Sequence, residues 1–373
     1  MTEEGADQVS PIRKLTREVA GKIAAGEVIE RPGSVVKELV ENALDASANR
    51  IVCSLQEGGK RLIRIEDDGS GIPAGELPLA VENFSTSKIA DAGDINHVRT
   101  LGFRGEALAS ICAVSNLTIR SRATDEEVGR EMEWSGGTNL KDSPCVRNPG
   151  TEVEVRDLFF NIPARRKFLS SGASELRRIT SIIQSFALAF PDVHLQLIEN
   201  TRDILSYPAA SPAERVGVVF GTDLSKQLKQ FDKRFGRLHL HGFVSTPDVT
   251  RSNRSLQFLF VNHRYVKDRM LIHAIHQAYR SLIPGDRFPL VALFLEVPAD
   301  EIDVNVHPAK AEVRFTTPGE MFSAVQRALR RALLAHSPVP SLNTQVRWTP
   351  PPPRRFGATA DEGGWSDHRT PGE

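Results

Sequence analysis

Cysteine is scarce in this chain: Cys53, Cys112 and Cys145 are the 3 present in 373 residues. Their spacing fits no metal-binding pattern, and so few thiols argue against a disulfide framework and for a reducing compartment. Long apolar runs are missing too. The longest, Pro289 to Val297, falls far short of the ~20 residues that cross a bilayer and reads as a buried strand. The polar, partly acidic stretch Met1 to Lys14 lacks the apolar centre of a signal peptide. No membrane partner is expected, and the expected location is cytoplasmic, or nuclear in a eukaryote. Net charge is absent overall, at +0, but Ser225 to Leu290 carries 12 Lys/Arg against 4 Asp. That excess suits a phosphate-bearing partner, or equally a merely solubilised surface. No G-x-x-x-x-G-K-[ST] occurs, which disfavours a Walker-type ATPase.

What is present suggests about two domains, at ~100–200 residues each, and 40% hydrophobic residues give material for substantial cores. Residues 1–20 read as an arm. Ile23 to Glu30 and Ser34 to Ala46 read as helices, with Ser34 a plausible N-cap. Ile51 to Leu55 and Leu62 to Ile65 read as strands around a Gly58-Gly59 turn. A loop-rich stretch, Asn83 to Arg104, leads to a helix from Glu106 to about Val114. Strands follow at Leu117–Ser121 and Val153–Leu158, then a helix at Ser174–Phe190. The prolines and small residues of Tyr207–Ala213 mark a domain boundary. Beyond it come strands at Leu238–Val244, Leu256–Val261, Leu290–Glu296 and Ile302–Val306, and helices at Asp268–Ser281 and Pro318–Ala335. From Ser337 the chain turns rich in Pro, Gly and charge and reads as a disordered linker or tail.

Five stretches carry chemistry. Glu38, Glu41, Asn42 and Asp45 fall at helical spacing and share one face, opposite Val36, Leu39 and Ala43. Carboxylates with an amide between them hold a hard cation and position a water; a solvated acidic face has the same pattern. Asp67-Asp68-Gly69-Ser70-Gly71 follows a strand, where a carboxylate accepts from an exocyclic amine and glycine lets a ring lie against the backbone. Gly102-Phe103-Arg104-Gly105-Glu106-Ala107-Leu108 opens a helix whose free N–H groups suit phosphate oxygens. Thr151 sits where its hydroxyl can support the Asp67 site, and Lys310 projects as a point charge suited to a terminal phosphate. Each stretch alone also fits a plain turn, cap or surface residue.

In that order the stretches resemble the Bergerat-type (GHKL) ATPase family. Asn305-Val306-His307-Pro308-Ala309-Lys310, Ile23 to Pro32, Ser85-Thr86-Ser87-Lys88 and Asn161 to Leu169 narrow the resemblance to the MutL-type mismatch repair branch, over about Ile12 to Leu334.

The resemblance implies an α+β fold: a two-layer α/β-sandwich GHKL domain over residues 21–210, then an α/β domain like domain 2 of ribosomal protein S5 over 211–336, with 337–373 as the tail. It implies ATP and Mg²⁺ as cofactors. Glu38 becomes the general base, Asn42 the Mg²⁺ ligand, Asp67 the adenine reader, and Gly102 to Leu108 the lid. Gly71, Thr86, Lys88 and Thr151 join the nucleotide site, and Lys310 reaches the γ-phosphate from the second domain. Arg264, Lys267 and Arg269 become contacts to DNA phosphates without sequence specificity. Slow hydrolysis is expected to gate self-dimerisation and DNA clamping, and to link a MutS-like mismatch sensor to a downstream nuclease or helicase. Two departures stand out. The family usually has Arg-His shortly before Thr-Ser-Lys, where this chain has Asn83-Phe84. The C-terminal dimerisation domain and the Asp-Gln-His-Ala-x-x-Glu-Arg endonuclease motif are not found, so this chain is not expected to cut DNA by itself.

Overall fold

The computed structural model of the chain describes residue 21 and residues 28–88, 100–102, 105–303 and 313–335. Its elements in chain order are α1 (Pro32–Asp45), β1 (Arg50–Gln56), β2 (Leu62–Asp67), α2 (Ala107–Val114), β3 (Asn116–Arg122), β4 (Gly129–Ser135), β5 (Thr138–Cys145), β6 (Gly150–Arg156), α3 (Pro163–Phe168), α4 (Gly172–Ala189), β7 (His194–Glu199), β8 (Arg202–Tyr207), α5 (Pro212–Phe220), α6 (Thr222–Ser225), β9 (Leu228–Phe235), β10 (Leu238–Ser245), β11 (Thr250–Arg251), β12 (Gln257–Val261), β13 (Arg264–Tyr265), α7 (Arg269–Tyr279), β14 (Phe288–Pro289), β15 (Val291–Glu296), β16 (Ile302–Asp303), β17 (Arg314–Phe315) and α8 (Pro318–Ala335).

Alternation builds the first sheet. Ile51, Cys53 and Leu55 of β1 and Ile63 and Ile65 of β2 are buried on one face, and the residues between them are more open. Eight strands run in the order β5-β4-β3-β6-β2-β1-β7-β8. β1 and β7 are parallel and the other neighbours antiparallel. Helix α1 lies on the apolar face through Val35, Val36, Leu39, Val40 and Ala43, each at most 2% exposed. Burial of an aliphatic side chain of this size contributes ~1.5–3 kcal/mol, so Leu39→Ala would loosen the helix that carries the site. The outer face is charged: Arg64 meets Glu154 at 2.5 Å, and Arg120 meets Glu131 at 2.6 Å and Glu152 at 2.5 Å.

The second sheet runs β13-β12-β15-β10-β9. Its parallel pair, β12 and β15, is joined through α7, as a parallel crossover requires. Leu240, Leu259 and Leu293 form one buried cluster with Ile275 of α7 and Leu329 of α8. The opposite face carries Phe243, Phe258 and Phe260, which join the core of the first sheet. There Phe220 meets Phe258 edge-on at 5.7 Å. Between the sheets, Ser211 and Glu214 form a capping box on α5. Arg215, 1% exposed, donates through Nη2 to the carbonyls of Pro191 (2.7 Å), Val193 (3.0 Å) and Pro208 (2.8 Å). Mixed sheets with helices on their faces give the expected α+β class.

Several local expectations change. Ser34 is not the N-cap: Arg31 holds that position with Pro32 at N1, whose missing N–H costs nothing there. Gly150 and Thr151 lie inside β6 rather than before it, and Leu158 lies beyond its end. The β4–β5 hairpin, α3, β7, β8 and β9 join the strands and helices expected. β5 is an exposed edge strand whose polar residues hide it in the sequence. The expected arm, most of the helix at Ile23 to Glu30, and the tail lie outside the described residues.

Candidate functional site

A cavity of about 990 Å³ is bounded by α1, the end of β2, residues 84–88 and 100–102, and the first turn of α2. Helical spacing brings Glu38, Asn42 and Asp45 to its wall. Glu41, from the same acidic face, is instead buried and paired with Lys37 at 2.7 Å. Glu38 remains partly open, with Lys37 Nζ 3.5 Å from its Oε1.

Asp45 holds Leu101 and Gly102 at the cavity wall. Its Oδ1 accepts from Leu101 N–H at 2.9 Å and its Oδ2 from Gly102 N–H at 3.1 Å. Lys88 donates through Nζ to Asp45 Oδ2 at 2.6 Å and to Asn42 Oδ1 at 3.0 Å. Thr86 Oγ1 accepts from the Lys88 N–H at 3.1 Å. A cation therefore already sits against the amide oxygen of Asn42, which shows that the position tolerates positive charge and offers oxygen. Those are the donors a hard divalent ion takes, so Mg²⁺ fits Asn42.

At the far end, Asp67 closes β2. Its Oδ1 accepts from Gly69 N–H at 2.9 Å and Thr151 N–H at 3.3 Å. Among the described residues Oδ2 has no hydrogen bond, so it is available to a ligand amine. Burial raises the Asp67 carboxyl above its ordinary pKa, against the pull of those two N–H groups. Behind it, Ser121 Oγ donates to Gly150 O at 3.1 Å and accepts from Ile72 N–H at 2.7 Å. Ser121 has one hydroxyl proton, so the 3.0 Å contact to Thr151 Oγ1 has Thr151 as donor. Gly71 has φ +73°, and a Cβ there would run into the Arg122 carbonyl. A glycine is thus required where the floor of the cavity turns.

The first turn of α2 forms the third wall. Glu106 is its N-cap, and the Glu106 side chain makes no capping hydrogen bond. The N–H groups of that turn suit phosphate oxygens. Gly105 has φ +63° and accepts from Phe84 N–H at 3.1 Å. Phe84 itself is 78% exposed with φ +63°.

Residues 30–157 match the family described as histidine kinase-, DNA gyrase B-, and HSP90-like ATPase. Residues 216–334 match the family described as DNA mismatch repair protein, C-terminal domain. The chain is 48% identical over 328 residues to the DNA mismatch repair protein MutL of Xanthomonas oryzae pv. oryzae, covering 87% of this chain and 52% of the relative. It is 41% identical over 368 residues to MutL of Koribacter versatilis, covering 91% and 57%. Among solved structures it resembles the Aquifex aeolicus MutL ATPase domain complexed with ADP, with TM-score 0.60, 30% identity, and coverage of 81% of this chain and 98% of that one. The chain belongs to the MutL family of DNA mismatch repair proteins. It spans about half the length of the curated MutL relatives it matches.

In this MutL-family chain the cavity brings together Glu38, Asn42, Asp67, Gly71, Thr86, Lys88, Gly102, Gly105, Glu106, Ala107, Leu108 and Thr151. Phe103, Arg104 and Lys310 lie outside the described residues. Lys267 and Arg269 are exposed on the second sheet's side of the chain. Arg264 is placed differently from the DNA surface expected for it. A tight turn at Asn262 and His263, both at positive φ, starts β13 with Arg264. Its Nη2 donates to the Thr100 carbonyl at 2.7 Å, beside the cavity. Asp45, Thr100, Ile72 and Ser121 are further residues of the site. Asp45 shares the α1 face visible in the sequence; Ser121 is reached only through its register with Thr151 on the neighbouring strand.

Proposed function

We propose that this chain is the ATP-driven part of a MutL-type mismatch repair machine, with a GHKL domain over residues 21–210 and an S5-like domain over 211–336. The observation that carries the reading is the single cavity in which Glu38, Asn42, Asp67 and the first turn of α2 converge. Its volume of about 990 Å³ lies at the upper end of the usual range for small-molecule sites.

Adenine sits at Asp67, whose Oδ2 accepts the exocyclic amine, with Thr151 and Ser121 holding the carboxylate in place and Gly71 admitting the ring. The phosphates lie toward Gly102–Leu108, where backbone N–H groups meet them. Asn42 would hold Mg²⁺ through its amide oxygen, and the ion would supply charge neutralisation for phosphoryl transfer. Lys88 leaves Asn42 when the nucleotide site fills and turns its charge to the phosphates. Glu38 orients a water and takes its proton as that water attacks the γ-phosphorus, while the bond from that phosphorus to the β–γ bridging oxygen breaks and ADP leaves with the oxygen. Lys310 reaches the γ-phosphate from the second domain.

Nucleotide binding orders the lid, closes two chains on each other and clamps DNA, with Lys267 and Arg269 on its phosphates. The expected partners are a MutS-like mismatch sensor and a downstream nuclease or helicase. Phosphate release by the purified chain with Mg²⁺, with and without DNA, together with its mass in AMPPNP, tests the reading. Slow turnover and a nucleotide-dependent step from monomer to dimer are expected. Binding without turnover or dimerisation would leave only a nucleotide-holding switch, and no binding would overturn the proposal.

A further inference from the structure

Away from the nucleotide cavity, the second sheet carries a cluster that the ATPase reading does not use. His239 and His241 alternate on β10, so both rings emerge on one face, with centroids 4.9 Å apart. Glu296 of β15 stands directly across the ladder from His239, and Asp232 of β9 directly across from His241. Glu296 Oε2 lies 3.0 Å from His239 Nδ1, and Glu296 Oε1 lies 3.5 Å from His241 Nε2. Asp232 Oδ1 takes the other side of the first ring, 3.0 Å from His239 Nε2. One donor atom from each of His239, His241 and Glu296 falls within 4.8 Å of the others.

We propose that His239, His241 and Glu296 form a binding site for one divalent transition-metal ion of the Zn²⁺ type, with water as the remaining ligand.

Donors around a tetrahedral ion at Zn–N and Zn–O lengths lie about 3.3 Å apart; here each imidazole faces its own Glu296 oxygen, at 3.0 and 3.5 Å, and one donor atom from each of the three residues lies within 4.8 Å of the others, so small side-chain shifts close the set on an ion. The positions are fixed before any ion arrives: the His241 ring stacks on Phe294 at 5.2 Å, and Phe294 stacks on Phe260 at 4.7 Å. Asp232 on the outer nitrogen makes the carboxylate–histidine–metal arrangement that orients a ligating imidazole. Exposure leaves room for water, with the side chains of His239, His241 and Glu296 14%, 37% and 56% exposed. Two imidazoles and a carboxylate select borderline ions over Mg²⁺, so the site does not compete with the nucleotide's ion.

Protons compete for the same atoms. The Glu296 bond, helped by Asp232, raises the His239 pKa, while burial and the neighbouring His239 lower that of His241. Among the described residues, Arg234 stands across the ladder from His239, and His263 acts on Glu296. Metal binding should therefore tighten as pH rises.

Co²⁺ added to the full chain in excess Mg²⁺, without nucleotide, reads the site through its visible absorption. One equivalent is expected to bind, with affinity at least ~100-fold weaker in the His239→Ala/His241→Ala double variant and ~10–100-fold weaker in Glu296→Gln. Equal binding by the double variant, or no binding by the unaltered chain, would overturn the proposal and leave an ion-paired histidine cluster only. Zn²⁺-dependent shifts of the two imidazole signals in the unaltered chain settle the matter if the double variant fails to fold: no shift overturns it. ATP turnover should be unchanged in Glu296→Gln.

Discussion

Arg264 donates from the edge of the second sheet to the carbonyl of Thr100, 2.7 Å away, at the wall of the nucleotide cavity. Its Nη1 is buried and, among the described residues, without a hydrogen-bond partner. Burial lowers the guanidinium's pKa, and the nearby charges of Glu41, Asp45 and Glu38 work in the opposite direction. The second sheet thus reaches the site through a cation with one donor still to place. Arg264→Ala is expected to slow ATP turnover about tenfold without DNA, as loss of one charge-assisted hydrogen bond would. Arg264→Lys should not restore it, since an ammonium lacks the planar fork that serves two acceptors at once. A residue that only touched DNA would leave DNA-free turnover unchanged.

Glu38 is the proposed general base. Glu38→Ala should retain ATP binding and lose ~10²–10⁴ in turnover, the contribution of a positioned general base. Nucleotide binding and phosphate release measured on the same preparation separate the two effects. Unchanged turnover would remove Glu38 from that role.

Gly71 tests the cavity floor. With φ +73° and the Arg122 carbonyl where a Cβ would go, Gly71→Ala must displace backbone at the end of β3. A strained backbone costs ~1–3 kcal/mol. The variant should melt lower than the unaltered chain and bind nucleotide more weakly. A melting curve and affinity both equal to the parent's would mean the turn relaxes freely.

The outer face of the first sheet sets an acid limit. Lys141 and Arg120 hold the Glu131 carboxyl down at about 2, against ~4.3 for a free glutamate. Its folded pKa is depressed, so its stabilisation is present above the free value and fades as pH falls toward about 2. Glu131→Gln should therefore lower the urea midpoint at pH 7, and the gap from the parent should shrink by pH 3. An equal gap at both pH values would contradict the assignment.

Much of the site was legible because its chemistry is local. Glu38 and Asn42 are four apart, so helical periodicity alone puts them on one wall, and Asp67 announces itself at a strand end before Gly69 and Gly71. What was hidden is non-local. Ser121 becomes part of the Asp67 end of the cavity only because β3 and β6 pair in one register and not another. Arg264 reads as one more basic residue beside Lys267 and Arg269 until the turn at Asn262 and His263 swings it inward. The β4–β5 hairpin escaped for a different reason: β5 is almost wholly exposed, so no apolar alternation marks it.

A hinge needs peptide groups free to exchange partners. Around residues 191–215 the carbonyls of Pro191, Val193 and Pro208 are all engaged by one buried guanidinium, that of Arg215. Bending there would strand a desolvated charge. The proline-containing passage that marks a domain boundary in the sequence is thus tied to one buried cation, and Arg215→Ala would leave three carbonyls to find new donors.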